Sequence, residues 1–153
     1  MGGMAGAGGS PVQNPCAKTK LVIKGGMASS TENATFPANL AFDGRATTRW
    51  ASAQTEPQWL YVDLGEVAHV SRVRLSWETA FATAYAIEIA QASAGPWTSM
   101  FEEDAGDGTM DDVTTLTAKN GRYVRVNATK RATAYGFSLY EVEVYGDLDE
   151  SCK

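Results

Sequence analysis

The segment 39–50 (Asn-Leu-Ala-Phe-Asp-Gly-Arg-Ala-Thr-Thr-Arg-Trp) places several hard oxygen atoms within a few residues of one another. Asp43 and Gly44 form a turn signal, because glycine adopts a positive φ without a Cβ penalty. A tight turn would direct the Thr48 hydroxyl and carbonyl towards the same point as the Asp43 carboxylate. Ca²⁺ binds about six to eight such oxygens. The spacing is compatible with a calcium site, although by itself it favours a plain turn capped by Asp43.

Residues that carry catalysis are scarce in this chain. His69 is the only histidine, and no nucleophile–base pair stands out around it. The separation of two carboxylates, on which glycoside hydrolysis depends, is not defined by a sequence. We therefore expect no catalytic activity and a structural or exposed role for His69.

Length and charge bound the remaining function classes. The chain has 153 residues, of which 44% are apolar and 20% charged, as in one soluble globular domain. No apolar run approaches the roughly 18 residues of a membrane-spanning helix. A net charge of −5 argues against nucleic acid and against anionic membrane surfaces as partners. It tolerates neutral ligands and favours cationic ones.

The two ends of the chain have their own signals. Residues 1–15 are rich in glycine and lack the basic and apolar regions of a signal peptide, so we predict a flexible linker ahead of a module spanning 16–152. Cys16 and Cys152 stand at the two ends of that module. A disulfide between them is favoured over two free thiols, and a metal site would need more ligands. A disulfide implies an oxidising compartment and a secreted protein, of which this chain would be a piece.

Short apolar segments separated by turn signals make up the rest. Val73, Leu75 and Trp77 alternate with polar residues at the period of two that is typical of a half-buried strand. We predict strands over 21–24, 59–64, 70–77, 85–89, 97–101, 113–116, 123–127 and 139–145, with a turn at Gly65. No window shows helical periodicity with caps. The pattern predicts an all-β sandwich or barrel.

Several motifs follow one another in a specific order: Ala28-Ser-Ser30, Phe42-Asp-Gly44, Thr48-Arg-Trp50, Trp59-Leu-Tyr-Val-Asp-Leu-Gly65, Trp77-Glu78, Arg122-Tyr-Val-Arg125 and Tyr135-Gly-Phe-Ser-Leu-Tyr-Glu-Val-Glu-Val-Tyr-Gly146. Together they resemble the discoidin family, also called coagulation factor 5/8 type C. More narrowly, they resemble its bacterial carbohydrate-binding branch, carbohydrate-binding module family 32. The resemblance spans nearly the whole of 16–152. It implies an antiparallel jelly-roll β-sandwich of about eight strands whose ends meet.

The resemblance also implies a structural Ca²⁺ at one end of the sandwich. Its implied ligands are the Asp43 and Glu141 carboxylates, the Thr48 hydroxyl and carbonyl, and backbone carbonyls near Leu40 and Arg45. Arginine at position 45 departs from the family pattern, but only its carbonyl is needed. The metal would brace loops and take no part in chemistry.

In such modules the ligand binds to loops at one end of the sandwich. Sugar recognition uses an aromatic ring for stacking and charged or amide groups for the hydroxyls. Four loops carry such groups, and the predicted ligand-binding residues are Glu32, Phe36, Arg49, Glu56, Glu78, Phe81, Arg131, Tyr135 and Phe137. We expect Gly136 to allow a bend that turns Tyr135 outwards, and we place Trp50, Trp59 and Trp77 in the core.

The choice of sugar rests on two features of these loops. They contain no histidine, which disfavours galactose. Glu32 and Glu78 suit the ammonium group of an amino sugar, through charge-assisted hydrogen bonds. We therefore expect a secreted, monomeric carbohydrate-binding module that tethers a larger enzyme to chitosan-type oligomers or, second, to β-glucan. The alternatives are a galactose-type lectin and a discoidin domain that binds phospholipid or a cell-surface protein.

Overall fold

A computed structural model of the protein describes residues 16–152. The predicted linker, 1–15, lies outside the described residues. Within 16–152 the chain forms nine strands and two short 3₁₀ helices, at Ala38–Ala41 and Glu150–Cys152. The strands are β1 (Thr19–Lys20), β2 (Gly25–Ala28), β3 (Trp50–Ala51), β4 (Gln58–Trp77), β5 (Ala82–Ala90), β6 (Thr98–Glu103), β7 (Asp111–Val113), β8 (Lys119–Arg131) and β9 (Ser138–Asp147). None of these elements is a helix long and apolar enough to cross a membrane.

The strands form two antiparallel layers that share the long strand β4. Its first half pairs with β2 and β8, and β8 continues to β5 and β6. Its second half pairs with β9 and β7, while β1 and β3 pair with β9. The register shifts between Asp63 and Ala68, where Gly65 adopts φ = +82°. The predicted turn at Gly65 is thus a bend within one strand, and the all-β antiparallel sandwich is confirmed.

Apolar residues of the two layers meet in one core. In β4 the buried Leu60 and Val62 alternate with the half-buried Tyr61 and Asp63, as a strand with one face in the core requires. The other layer contributes fully buried side chains from β4 and β9: Val73, Leu75, Val142 and Val144. The end of β4 pairs with the start of β9, since Trp77 lies opposite Leu139 and the Glu78 N–H donates to the Ser138 carbonyl. Glu78 therefore lies at the same end of the sandwich as the start of β9.

The first predicted strand, 21–24, is wrong. The Leu21 N–H donates to the Val144 carbonyl of β9, whereas the Lys24 N–H donates to the Asp63 carbonyl of β4. The segment therefore crosses from one layer to the other and pairs with neither along its length. The strands lie on either side of it, as β1 and β2.

Of the three tryptophans that we predicted in the core, two are buried and one is only half-buried. Trp50 and Trp77 are buried, with 1% and 7% of their surface exposed, as predicted. Trp59 is only half-buried, because its neighbours Gln58 and Leu60 occupy the inward positions of β4. Its prediction as a core residue is wrong, and its ring lies on the outer face of the first layer.

The ends of the module are joined as the sequence predicted. Cys16 and Cys152 form a disulfide with their Cα atoms 5.5 Å apart. The adjacent strands also pair, since Thr19 of β1 lies opposite Gly146 of β9. Because β9 begins near the loops around Glu78 and ends beside this disulfide, the loops and the termini lie at opposite ends of the sandwich.

Candidate functional site

A pocket of about 490 Å³ opens at the loop end of the sandwich. Five of its lining residues were predicted from the sequence as ligand-binding: Glu32, Arg49, Glu78, Tyr135 and Phe137. A volume of this size is within the range of small-molecule sites. The wall is completed by small and hydroxyl-bearing residues: Ala51, Ser52, Thr79, Ala80, Thr133, Gly136 and Ser138, with Phe137 beneath.

Arg49 is the most firmly held charged group of the pocket. Its guanidinium lies 4.0 Å from the centre of the Phe36 ring, in a cation–π contact. Its Nη1 donates to the Ser138 hydroxyl at 3.0 Å and lies 3.8 Å from Glu78 Oε1. Phe36 thus acts through Arg49 and does not itself line the pocket. These contacts orient the guanidinium fork before any ligand arrives.

The two carboxylates of the pocket differ in how far they are already satisfied. Glu78 Oε1 accepts a hydrogen bond from the Ala80 N–H at 3.0 Å and faces the Arg49 cation. Glu32 is exposed, and its side chain has no hydrogen bond or ion pair among residues 16–152. Its backbone is anchored, because the Glu32 N–H donates to the Ala51 carbonyl at 2.7 Å. Glu32 is therefore the unpaired negative charge of the pocket.

Tyr135 and Phe137 were both predicted as stacking residues, and the structure separates them. Tyr135 is 62% exposed and lines the pocket, whereas Phe137 is 0% exposed. The prediction for Phe137 is wrong, because a fully buried ring has no free face for a sugar. Gly136 lies so close to the loop containing Ser52 that a Cβ would collide with the Ser52 hydroxyl and the Ala53 carbonyl oxygen. Only glycine fits at this position, directly after the bends at 132–135 that end with the exposed Tyr135.

Besides Phe36, three predicted ligand residues lie outside the pocket. Glu56 and Arg131 pair with each other, since the Arg131 N–H and Nε donate to Glu56 Oε2 at 2.6 and 3.3 Å. Arg131 Nη1 also donates to the Gln54 carbonyl at 2.6 Å, so this pair braces one loop against another. Phe81 packs against the core and beneath Gly108. These three predictions are not supported, because each group is engaged in intramolecular contacts beside the pocket.

Sequence reasoning missed the hydroxyl groups of the wall. The buried Ser138 hydroxyl accepts from Arg49 and donates to the Trp50 carbonyl at 2.8 Å. The Ser52 hydroxyl accepts from the Phe137 N–H at 2.8 Å. Ser138 is the first residue of β9, and Ser52 directly follows β3. A serine at the end of a strand is only a weak sequence signal for a binding site, and these two line the pocket because distant loops converge there.

The predicted calcium loop forms a compact cluster of oxygen atoms outside the pocket. Asp43 Oδ2 accepts from the Thr48 hydroxyl at 2.6 Å, and the Arg45 carbonyl lies 3.5 Å from that hydroxyl. Glu141 Oε1 accepts from the Gly44 N–H at 3.1 Å, which brings β9 onto the loop. Gly44 itself adopts φ = +79°, as the turn prediction requires. Leu40 lies in the 3₁₀ helix just before the loop.

The electrostatics of this cluster are those of two acids held close together. Burial raises the pKa of Glu141 to about 7; the Gly44 N–H opposes that rise and the Asp43 carboxyl adds to it. Burial also raises the pKa of Asp43, but hydrogen bonds from Thr48 and Arg45 outweigh it and hold that pKa below its ordinary value. Neither carboxyl has a salt bridge within the described part of the chain. Two carboxylates, a hydroxyl and nearby carbonyls are a donor set that suits Ca²⁺, although no three His, Cys, Asp or Glu side chains among residues 16–152 are placed so that they could hold a metal ion together.

A β-sandwich with a polar and aromatic pocket among its end loops defines a binding module. The sequence matches the model of the F5/8 type C domain over residues 26–142. The chain belongs to the F5/8 type C domain family.

Several solved structures that are similar to this chain are carbohydrate-binding modules. Chitosan-binding modules 1 and 2 of a chitosanase/glucanase from Paenibacillus sp. IK-5 are 47% and 48% identical to this chain, with TM-scores of 0.79 and 0.77. The matches cover 84% and 82% of this chain and 99% and 98% of the chains of modules 1 and 2. Module 2 was solved in complex with chitotriose. The family 32 carbohydrate-binding module of C. perfringens NanJ, in complex with galactose, shares the fold at 24% identity, with a TM-score of 0.73 and coverage of 84% and 98%.

A curated relative matches part of this chain over a small share of its own length. HylA, a polysaccharide lyase 8 family protein of Enterococcus faecalis, is 36% identical over 74 residues. That alignment covers 48% of this chain and 5% of the relative. The chain therefore corresponds to a small part of that protein's length.

Proposed function

We propose that this chain is a non-catalytic carbohydrate-binding module whose loop-end pocket binds glucosamine oligomers of the chitosan type. The observation that carries the proposal is the unpaired Glu32 carboxylate in the same pocket as the exposed Tyr135 ring. An ammonium group fits beside the Glu32 carboxylate, and the C–H face of a pyranose fits against the Tyr135 ring. The identity of 47–48% with two chitosan-binding modules supports this choice of sugar.

The roles of the two carboxylates follow from their partners. Glu78 faces Arg49 and accepts from the Ala80 N–H, so its charge is largely balanced and it serves as a hydroxyl acceptor. Glu32 has no such partner among residues 16–152 and is the ligand for the ammonium. Arg49, held by Phe36 and Ser138, donates to ring or hydroxyl oxygens. The sugar is thus recognised by charge at one point and by hydrogen bonds at the others.

Titration calorimetry with glucosamine oligomers and with neutral β-1,3-glucan oligomers, at low and high salt, tests the proposal. Glu32→Gln keeps the shape of the side chain and removes its charge, so we expect roughly a tenfold or greater loss of affinity for glucosamine oligomers. Glu102→Gln, an exposed acid of β6 outside the pocket, is the matched control and should bind normally. Unchanged binding by Glu32→Gln would contradict the proposal.

A single shallow pocket gives weak binding, roughly micromolar to millimolar. Such affinity suits a module that keeps a covalently linked enzyme near an insoluble substrate, because linkage raises the local concentration. We propose that the module belongs to a larger polysaccharide-active protein that is secreted. The Cys16–Cys152 disulfide supports an oxidising compartment. The module would act as a monomer.

We further propose that the Asp43–Glu141 cluster holds a structural Ca²⁺. Asp43, Glu141 and Thr48 would supply side-chain oxygens, and Leu40 and Arg45 would supply carbonyls. The bound ion would neutralise the two neighbouring acids and fasten the loop to β9. We expect Ca²⁺ to raise the unfolding temperature and a chelator to lower it. Asp43→Asn should abolish this response, whereas Asp107→Asn, which removes a similar aspartate–threonine turn, should leave it intact.

A further inference from the structure

The Glu32 carboxylate stands on an exposed loop. This loop, residues 29–35, follows β2, and every residue in it except Ser30 is exposed. We call it the Glu32 loop. The Glu32 N–H donates to the Ala51 carbonyl at 2.7 Å, whereas its side chain has no partner within residues 16–152. The position of the carboxylate in the pocket therefore depends on how the backbone of this loop is held.

Ser30, two residues before Glu32, is hydrogen-bonded to separate parts of the fold. Its carbonyl accepts from the indole N–H of Trp50, in β3, at 2.9 Å. Its hydroxyl donates to Gln58 Oε1, at the start of β4, at 2.7 Å. The same hydroxyl accepts from the Ala53 N–H at 2.9 Å. Because Trp50 and Gln58 are buried, these bonds fasten the loop to the body of the sandwich.

The bond to Ala53 joins the Glu32 loop to the segment that holds the other side of the pocket. Ala53 belongs to the loop between β3 and β4. In that loop the Ser52 N–H donates to the Phe137 carbonyl and the Ser52 hydroxyl accepts from the Phe137 N–H, both at 2.8 Å. Phe137 lies two residues after Tyr135. The Ser30 hydroxyl is therefore a link between the loop of the pocket carboxylate and the loop of the pocket ring.

We propose that Ser30 is a positioning residue, which holds Glu32 in place relative to Tyr135. The inference rests on the proposed function, because it concerns the carboxylate that is to bind the ammonium group. A glucosamine oligomer presents ammonium groups and pyranose faces at a set spacing, so a carboxylate already in place lowers the ordering cost of binding. Without the Ser30 hydroxyl the Ala53 N–H loses its acceptor, and the ligand has to order the Glu32 loop.

Ser29 supplies a matched control within the same network. Its hydroxyl also donates to Gln58 Oε1, at 2.6 Å, and also accepts from one backbone N–H, that of Trp59, at 2.8 Å. Both of these partners lie in β4, so the Ser29 hydroxyl does not bond the loop between β3 and β4. Ser29→Ala and Ser30→Ala thus remove the same kinds of hydrogen bond, but only Ser30→Ala breaks the link between the two loops.

Titration of both variants with glucosamine oligomers, followed by amide NMR shifts, tests the inference. We expect Ser30→Ala to bind about fivefold more weakly than the wild type, the effect of one hydrogen bond, and Ser29→Ala to bind within about twofold of it. Exchange of the Glu32 amide hydrogen with solvent should become faster in Ser30→Ala alone, because its bond to the Ala51 carbonyl opens more often. Chemical denaturation should show similar stability for the two variants.

A double variant separates positioning from a general loosening of the fold. Glu32→Gln removes the charge that Ser30 positions, so adding Ser30→Ala to it should weaken binding further by less than about twofold. A full additional fivefold loss would overturn the inference, as would normal binding by Ser30→Ala or equal weakening by Ser29→Ala. After any of these results the proposed function still stands, because it requires only that Glu32→Gln weakens binding. Unchanged binding by Glu32→Gln would overturn both.

Discussion

The loop pocket and the outer face of the first layer both combine rings with charged groups, yet they leave different groups free. The rings of that outer face are Trp59, Tyr61, Trp97 and Tyr123, and we call them the aromatic face. In the pocket one acid, Glu32, has no partner within residues 16–152, and one ring, Tyr135, is 62% exposed. On the aromatic face every ring contacts another ring or an arginine, and Arg125 and Arg122 are paired with acids. An unpaired carboxylate is free to bind a cationic ligand, whereas the paired charges of the aromatic face contribute to packing within the layer.

The difference arises from where each region stands in the fold. The pocket is built by loops, whose side chains are not constrained by neighbours on both sides. The aromatic face is built on paired strands, where each outward residue has a cross-strand neighbour within reach. Substitutions should therefore affect stability on the strands and ligand binding on the loops.

The largest effect is expected where the pocket meets the core. Phe137→Ala removes a fully buried ring and should lower the free energy of unfolding by about 3–5 kcal/mol. Tyr135→Ala removes an exposed ring two residues away and should change it by less than about 0.5 kcal/mol while weakening binding of glucosamine oligomers. Chemical denaturation of both variants, with calorimetry on Tyr135→Ala, checks this. Equal destabilisation of the two variants would contradict the assignment of Phe137 to the core and of Tyr135 to the ligand-binding surface.

An intermediate effect is expected on the aromatic face. The side chains of Arg125 and Glu88 are only 17% and 15% exposed. Arg125→Gln leaves Glu88 without its cation and Trp97 without its stacking partner, so unfolding should become easier by about 1–3 kcal/mol. Adding Glu88→Gln should restore part of this loss, because no unpaired charge then remains. A double variant less stable than Arg125→Gln alone would show that the ion pair is not what the arginine supplies.

The smallest effect concerns pH. The hydrogen bond from Arg122 holds the pKa of Asp63 below its ordinary value of 3.8, against the opposing effect of burial. The unfolded state therefore takes up this proton first, and the stability due to the pair is present above pH 3.8 and is lost as the pH falls through the lower, folded-state pKa. Asp63→Asn should flatten the decline of the unfolding temperature in that acid range. An unchanged acid profile would mean that the pair contributes nothing.

The sequence by itself determined the all-β class, most of the strands, the Gly44 turn and the disulfide. The first three depend on local chemistry, namely alternation of period two and a positive φ at glycine, and their signals are complete within a few residues. The disulfide joins cysteines 136 residues apart, but the chain offers only one possible pair of thiols. They were therefore visible before any tertiary contact was known.

Only the tertiary structure decided which acids and rings act together. Glu32, Glu78 and Tyr135 meet because the turns between distant strands end at one place, whereas Glu56 and Arg131 satisfy each other beside it. The burial of the aromatic residues was equally undetermined, because alternation defines two faces of a strand without saying which is covered. In 58–62 both faces of β4 carry large apolar side chains, and only packing against the second layer sends Leu60 inwards and Trp59 out.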